Sequence, residues 1–167
     1  MQSTPWESEL TAALGQQFGP AVEEFGAYLG QNFVICAPEA VVPVLDRLKA
    51  EGFDYLVDVT AVDYPENANR FELVYILYSF ARNERVRVKT RIADGYRPQS
   101  AVSVYTTANW LEREVYDMFG IEFDEHPDLR RILMPDDWHG HPLRKDYSLL
   151  NMDNQWVKEN LGIESGR

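Results

Sequence analysis

Phe71-Glu-Leu-Val-Tyr-Ile-Leu-Tyr-Ser-Phe80 is almost wholly apolar, and Arg85-Val-Arg-Val-Lys-Thr-Arg-Ile92 follows it closely. The first run is far shorter than a membrane span and reads as a central strand covered on both faces. The second alternates with a period of two. Arg85, Arg87, Lys89 and Arg91 fall on one side, and Val86, Val88, Thr90 and Ile92 on the other. That is a half-exposed strand. Asp94-Gly95 then turns the chain. Upstream, Tyr55, Val57, Val59 and Ala61 alternate with partly polar neighbours, which gives a third strand. The four cations of 85–91 read as charges guarding a sheet against aggregation, or as a face that docks an acidic partner. An RNA contact fits worst, because the rest of the chain repels phosphate.

Working outward, Trp6, Leu10, Leu14 and Phe18 recur every fourth residue and predict a short helix over 5–18. Gly26 and Gly30 punctuate two short strands near 21–28 and 31–36. Residues 38–51 predict a helix that opens on Pro38, carries Val41, Leu45 and Leu48 as one stripe, and ends at Gly52. Asn109 with Glu112 resembles a capping box for a helix over 109–119. Leu111, Val115 and Met118 would face inward, Arg113 and Asp117 sit one turn apart, and Gly120 stops it. Regularity fades after that. The order predicts an α+β fold, with helices packed on one face of a mixed or antiparallel sheet in two layers. We divide the chain into a core at 1–120, an extended partner-binding strap at 121–150 and a short tail at 151–167, which either forms a weak helix near 155–160 or stays mobile.

The chain has 167 residues, enough for one core of ordinary size, and its 13% aromatic content excludes general disorder. A net charge of −11 argues against free-standing nucleic-acid binding. The charge is uneven: residues 1–80 sum to −9 and residues 81–100 to +4. The N-terminus lacks an apolar core of the secretory kind, and no run is long enough to span a bilayer, so we expect a soluble, cytoplasmic chain. Cys36 is the sole cysteine, which rules out an internal disulfide and an iron–sulfur cluster held by this chain alone.

Chemistry is hard to find. The glycines form neither GxGxxG nor a P-loop. His126, His139 and His141 lie near Glu125, Asp136 and Asp137, but their spacing matches no closed zinc site. These histidines read better as hydrogen-bonding groups. Cys36 follows Phe33-Val34-Ile35 and reads as a buried, inert thiol. Glu112 and Glu114 point to different faces of a helix and do not make an acid/base pair.

The stretch 112–147 carries the functional reading. Arg113, Arg130, Arg131, Arg144 and Lys145 lie among Asp117, Asp128, Asp136, Asp137 and Asp146, with Tyr116, Phe119, Phe123, Trp138 and Tyr147 between them. Aromatics and Arg on an irregular backbone suit a buried protein interface, or a strap covering the chain's own core. The residues leave both readings open.

Glu112-Arg113-Glu114, then Asp117-Met118-Phe119, His126, Arg130 and Ile132-Leu133 at their spacings resemble a known family signature. It is that of the C subunit of the proton-pumping NADH:quinone oxidoreductase, respiratory complex I. The continuation Met134-Pro135, Trp138, Gly140-His141-Pro142-Leu143-Arg144-Lys145-Asp146-Tyr147 is similar too. The resemblance covers residues 5–150. It implies a peripheral scaffold protein on the cytoplasmic side of the membrane, beside the large quinone-module subunit and the small iron–sulfur subunit. Flavin mononucleotide (FMN) and the Fe-S clusters would lie in partner subunits of the complex, with none in this chain. The complex passes electrons from NADH to quinone and pumps protons. In that frame Arg130, Arg131, Arg144 and Lys145 would pair with a neighbour's carboxylates and Trp138 would fill a pocket. Glu112, Arg113, Glu114 and Asp117 would hold the helix to the strap. The same signature also resembles subunits of ferredoxin- or deazaflavin-linked dehydrogenases and membrane-bound hydrogenases. A reading of another class is a small free-standing enzyme with His126 and Glu114 as acid and base.

Overall fold

The computed structural model describes residues 3–147 and 154–162. Its centre is a six-stranded mixed sheet built from β1 (Thr4–Pro5), β2 (Val22–Tyr28), β3 (Gln31–Cys36), β4 (Tyr55–Asp63), β5 (Phe71–Ser79) and β6 (Glu84–Ile92). The order is β1-β2-β3-β6-β5-β4. All pairs are antiparallel except β3 with β6. β5 therefore lies inside the sheet, as its apolar run predicts.

Helices α1 (Glu9–Phe18), α2 (Val41–Ala50) and α3 (Ala108–Phe119) share one core with one face of the sheet. Leu14, Leu45, Leu48, Val115 and Met118 from the helices meet Val34, Leu73, Tyr75, Leu77, Val86 and Val88. The two-layer α+β expectation holds. The opposite face carries the alternating cations, and Lys89 and Arg91 there pair with Glu72 of β5.

Several boundaries differ for local reasons. α1 starts at Glu9 because Ser8 and Thr11 form a reciprocal capping box, which leaves Trp6 outside to pack edge-on against Phe25. Pro5 lies in the two-residue edge strand β1, where its missing N–H does no harm. Pro38 opens a single tight turn, Pro38–Ala40, that leads into α2. In β4 the register shifts between Leu56 and Asp58, so Leu56 is buried where strict alternation would have buried a neighbour. The Asn109–Glu112 capping box does not form. Thr107 takes the cap position without a side-chain bond, and Glu112 turns inward. Gly120 stops α3 with φ +75, and a Cβ there would lie 2.6 Å from the His141 ring.

Residues 121–147 carry no helix, and their one β-bridge joins Asp124 to Gln99. Beyond them lies α4 (Asn154–Leu161), at the predicted place. Residues 148–150 of the predicted strap and 151–153 and 163–167 of the predicted tail fall outside the described residues.

Gly26 marks a close approach inside the sheet, since a Cβ there would sit 2.3 Å from Cζ of Phe33 on the paired strand. Gly26→Val should therefore destabilise the chain by about 1–3 kcal/mol in urea unfolding. Phe33→Leu in the same chain should recover part of that loss. A strictly additive pair of costs would show that the ring does not occupy this space.

Candidate functional site

The polar centre of the molecule is the C-terminal half of α3 with the strap folded over it. Met118 and Phe119 anchor the helix in the core. Asp117, fully buried, faces the strap. Its Oδ2 accepts the backbone N–H groups of Ile132, Leu133 and Met134 at 3.0, 2.8 and 2.8 Å. Its Oδ1 accepts from Arg131 at 2.6 Å. Burial works to raise the Asp117 carboxyl, but the three N–H groups and Arg131 outweigh it and hold it below the ordinary carboxylate range. Arg131 goes on to donate to the carbonyls of Trp138 and Gly140, both at 3.0 Å, and so folds the strap around its guanidinium.

The last turn of any α-helix leaves carbonyls without partners. Here the strap supplies them. His141 Nδ1 lies 3.0 Å from Asp117 O, Leu143 N–H donates to Met118 O at 3.0 Å, and Arg144 donates to Phe119 O at 3.3 Å. Arg113 reaches out too, donating to the carbonyls of Arg130 and Arg131 at 3.1 and 3.2 Å. Arg113 and Asp117, one turn apart, thus both tie helix to strap.

A second lock holds the end of the strap. Arg70 grips Asp63 through two bonds of 2.7 and 2.8 Å and reaches Asp146 at 2.9 Å. Arg144 pairs with Asp94 and Asp146. Lys145 N–H donates to Asp63 at 2.7 Å. Arg70 pulls Asp146 down to about 2 and Asp63 below its usual range, and Arg144 does the same to Asp94.

A third anchor is Glu112, also fully buried, which accepts from Ser100 Oγ at 2.6 Å and Ala101 N–H at 2.7 Å. Desolvation pushes it up to about 7, against the pull of those two donors. The buried His126 ring lies 3.9 Å away. Its Nδ1 accepts the Asp128 N–H and its Nε2 faces Asn109 O at 3.1 Å, a tautomer assigned from the bonding pattern.

Of the residues singled out in the sequence, Glu112, Arg113, Asp117, Arg131, His141, Arg144 and Asp146 are thus brought together. Arg131 and Arg144, expected to reach a neighbour's carboxylates, pair within the chain, because Asp117 and Asp94 lie in reach. Trp138 is half-buried beside Trp156 of α4, with ring centroids 5.3 Å apart. The half-buried Tyr147 ring packs where a Cβ on Gly140 would lie 2.8 Å away. Glu114 and Lys145 are exposed. The Arg130 side chain is 68% exposed, with Asp128 at 3.0 Å, and Trp110 of α3 and Leu133 of the strap are open to solvent. His126 is enclosed while Glu114 is exposed, so the acid/base pair is not assembled. Cys36 is buried, and burial raises its thiol to about 12. Among the described residues no three His, Cys, Asp or Glu gather as a metal site.

The sequence reading missed Asp63, Arg70, Asp94 and Ser100. Asp63 left one signal: it continues the inward side of a strand, where a carboxylate requires a buried partner.

The profile of the family described as "Respiratory-chain NADH dehydrogenase, 30 Kd subunit" matches residues 34–152. The chain belongs to this family. The match contains the whole helix–strap lock. The C subunit of the NADH-quinone oxidoreductase of Geotalea uraniireducens (strain Rf4) is 45% identical, covering 89% of this chain and 92% of that protein. Its counterpart in Trichlorobacter lovleyi is 52% identical over 80% of this chain and 84% of its own. Among solved structures, the trypsin-resistant fragment (1–134) of Nqo5 superposes with a TM-score of 0.63 and 30% identity, covering 73% of this chain and all of that one. A chain of the membrane-bound sulfane sulfur reductase, an archaeal respiratory membrane complex, gives 0.76 and 25% identity over 95% and 93%. The resemblance read from the signature is thereby shown.

Asp117→Asn should cost about 3–5 kcal/mol in urea unfolding, since it strands Arg131 and the strap amides. Acid should loosen the strap as well. The lock carboxylates have depressed values in the folded chain, so their contribution is present above about pH 4 and is lost as pH falls towards about 2. Glu112 has the opposite sign. Its raised value makes its contribution full below about pH 4.3 and lost as pH rises through about 7. Urea midpoints should therefore drop between about pH 4.3 and 7 in the wild-type chain and stay flat in Glu112→Gln over that range. A parallel decline in both would remove Glu112 as the cause.

Proposed function

We propose that this chain is the C subunit of an NADH-quinone oxidoreductase and serves it as a scaffold, without chemistry of its own. The observation that carries this reading is the use to which the family signature is put. Glu112, Arg113, Asp117, Arg131 and Arg144 are consumed in fixing an irregular backbone, Glu114 and Arg130 stand exposed, and none of them is a nucleophile set beside a base. NADH oxidation and quinone reduction then belong to partner subunits that hold the FMN and the Fe-S clusters. The large quinone-module subunit and the small iron–sulfur subunit are the proposed neighbours. The chain would sit on the cytoplasmic side of the membrane as a peripheral part of that complex, and no helix among the described residues is long and apolar enough to cross a bilayer.

The proposed interface is the outer side of α3 and the strap. Arg131 and Arg144 hold the strap rigid from within, and the exposed Trp110, Arg130 and Leu133 present the contact. A pre-ordered irregular surface binds without the entropic cost of folding on its partner. The likeness to the archaeal sulfane sulfur reductase supports a second reading, an equivalent subunit in a related respiratory membrane complex that reduces something other than a quinone. The 45% and 52% identities to NADH-quinone oxidoreductase subunits favour the first.

Tagged chain purified from native membranes should co-elute with flavin- and cluster-bearing subunits and with NADH-driven quinone reduction. A lone chain, or a complex inert to NADH, would overturn the proposal. Leu133→Glu should change the stability of the isolated chain by no more than about 0.5 kcal/mol. It should nonetheless weaken assembly by about 2 kcal/mol, roughly 30-fold, as read by co-elution.

A further inference from the structure

Three rings stand in contact on the face of the sheet that, among the described residues, no helix covers. Tyr55, Tyr78 and Arg85 lie side by side across β4, β5 and β6 in register. Phe80, just past the end of β5, sets its ring against Tyr78 at 4.9 Å and Tyr55 at 5.7 Å. Phe80 is 67% exposed and Tyr55 47%. None of the three belongs to the core cluster, which lies on the opposite face. Packing inside the chain therefore does not explain them.

The charge beside them is equally unmatched. The cationic stripe of β6 divides in two. Lys89 and Arg91 share Glu72, whereas Arg87 bonds the neutral Gln31 and Arg85 has no carboxylate partner among the described residues. The free half of the stripe is the half next to the rings. Residues 81–100 carry +4 in a chain whose net charge is −11. An acidic segment is repelled elsewhere on the molecule and drawn to this strip. Exposed aromatics beside arginines that lack a carboxylate partner are also the composition of interface hot spots.

We infer that this hairpin end of the open sheet face is a second docking surface, and that it takes an acidic segment of another subunit. The inference rests on the assembly reading above and adds to it a contact away from the strap. Apolar side chains of the segment cover Phe80 and Tyr55, and its carboxylates pair with Arg85 and Arg87.

The test uses the assembled complex, with a photoreactive benzoylphenylalanine in place of Phe80 and, separately, in place of Leu133. Irradiation at position 80 should link the chain to a peptide of another subunit that bears Asp or Glu beside the linked residue. Arg85→Glu with Arg87→Glu should cut that yield by about tenfold or more, and a lysine at the linked acidic position should restore it. Three results overturn the inference alone: links only within this chain, links only to a second copy of it, or no link at position 80 while position 133 reacts. Failure at both positions with no co-eluting subunits overturns the assembly reading and this inference with it.

Discussion

A single carboxylate oxygen, Asp117 Oδ2, receives three consecutive backbone amides of a segment that has no ladder of its own. Irregular chain is costly to order, because each buried N–H and C=O must find a partner and sheets or helices no longer provide it. The α3 terminus provides it here. The carboxylate supplies acceptors, and the helix's own spare carbonyls absorb the strap's donors. The arrangement is reciprocal. Without the strap, the last turn of α3 would lose the partners of its carbonyls; without Asp117, three strap amides would lose their acceptor.

This reciprocity accounts for where the many Arg, Asp and His side chains of the stretch go. Such residues at a catalytic centre converge on a cavity. Here they converge on main-chain atoms of the same molecule, with Arg131 spanning the two walls of the strap and Arg144 joining it to the sheet. The signature that identifies the family is thus a folding instruction first. A rigid, self-satisfied surface suits a subunit of a large assembly.

The sheet was legible because periodicity is local. The apolar run of 71–80 and the alternation of 85–92 specify an inner strand and its half-exposed neighbour without reference to anything distant. The helix boundaries were less so, since a two-residue choice such as Ser8 over Trp6 depends on one cap. The lock itself was half hidden. Asp63 and Lys145 are 82 residues apart, and Arg70 and Asp146 are 76 apart, so no window of sequence shows them together. Glu112 misled for a related reason. Its spacing from Asn109 fits a cap, but the Ser100–Ala101 turn offers better donors and wins.

The parallel pairing of β3 with β6 bears on how the molecule is made. Residues 37–83 stand between the two strands, yet the N-terminal hairpin has no other neighbour on that side. During translation β3 must wait with a bare, apolar edge until β6 leaves the ribosome, and only then can the sheet close. Long-range closure of this kind is slow and exposes the chain to wrong partners. A nascent-chain chaperone engaging residues 31–36 would protect the one strand that synthesis leaves unmatched the longest.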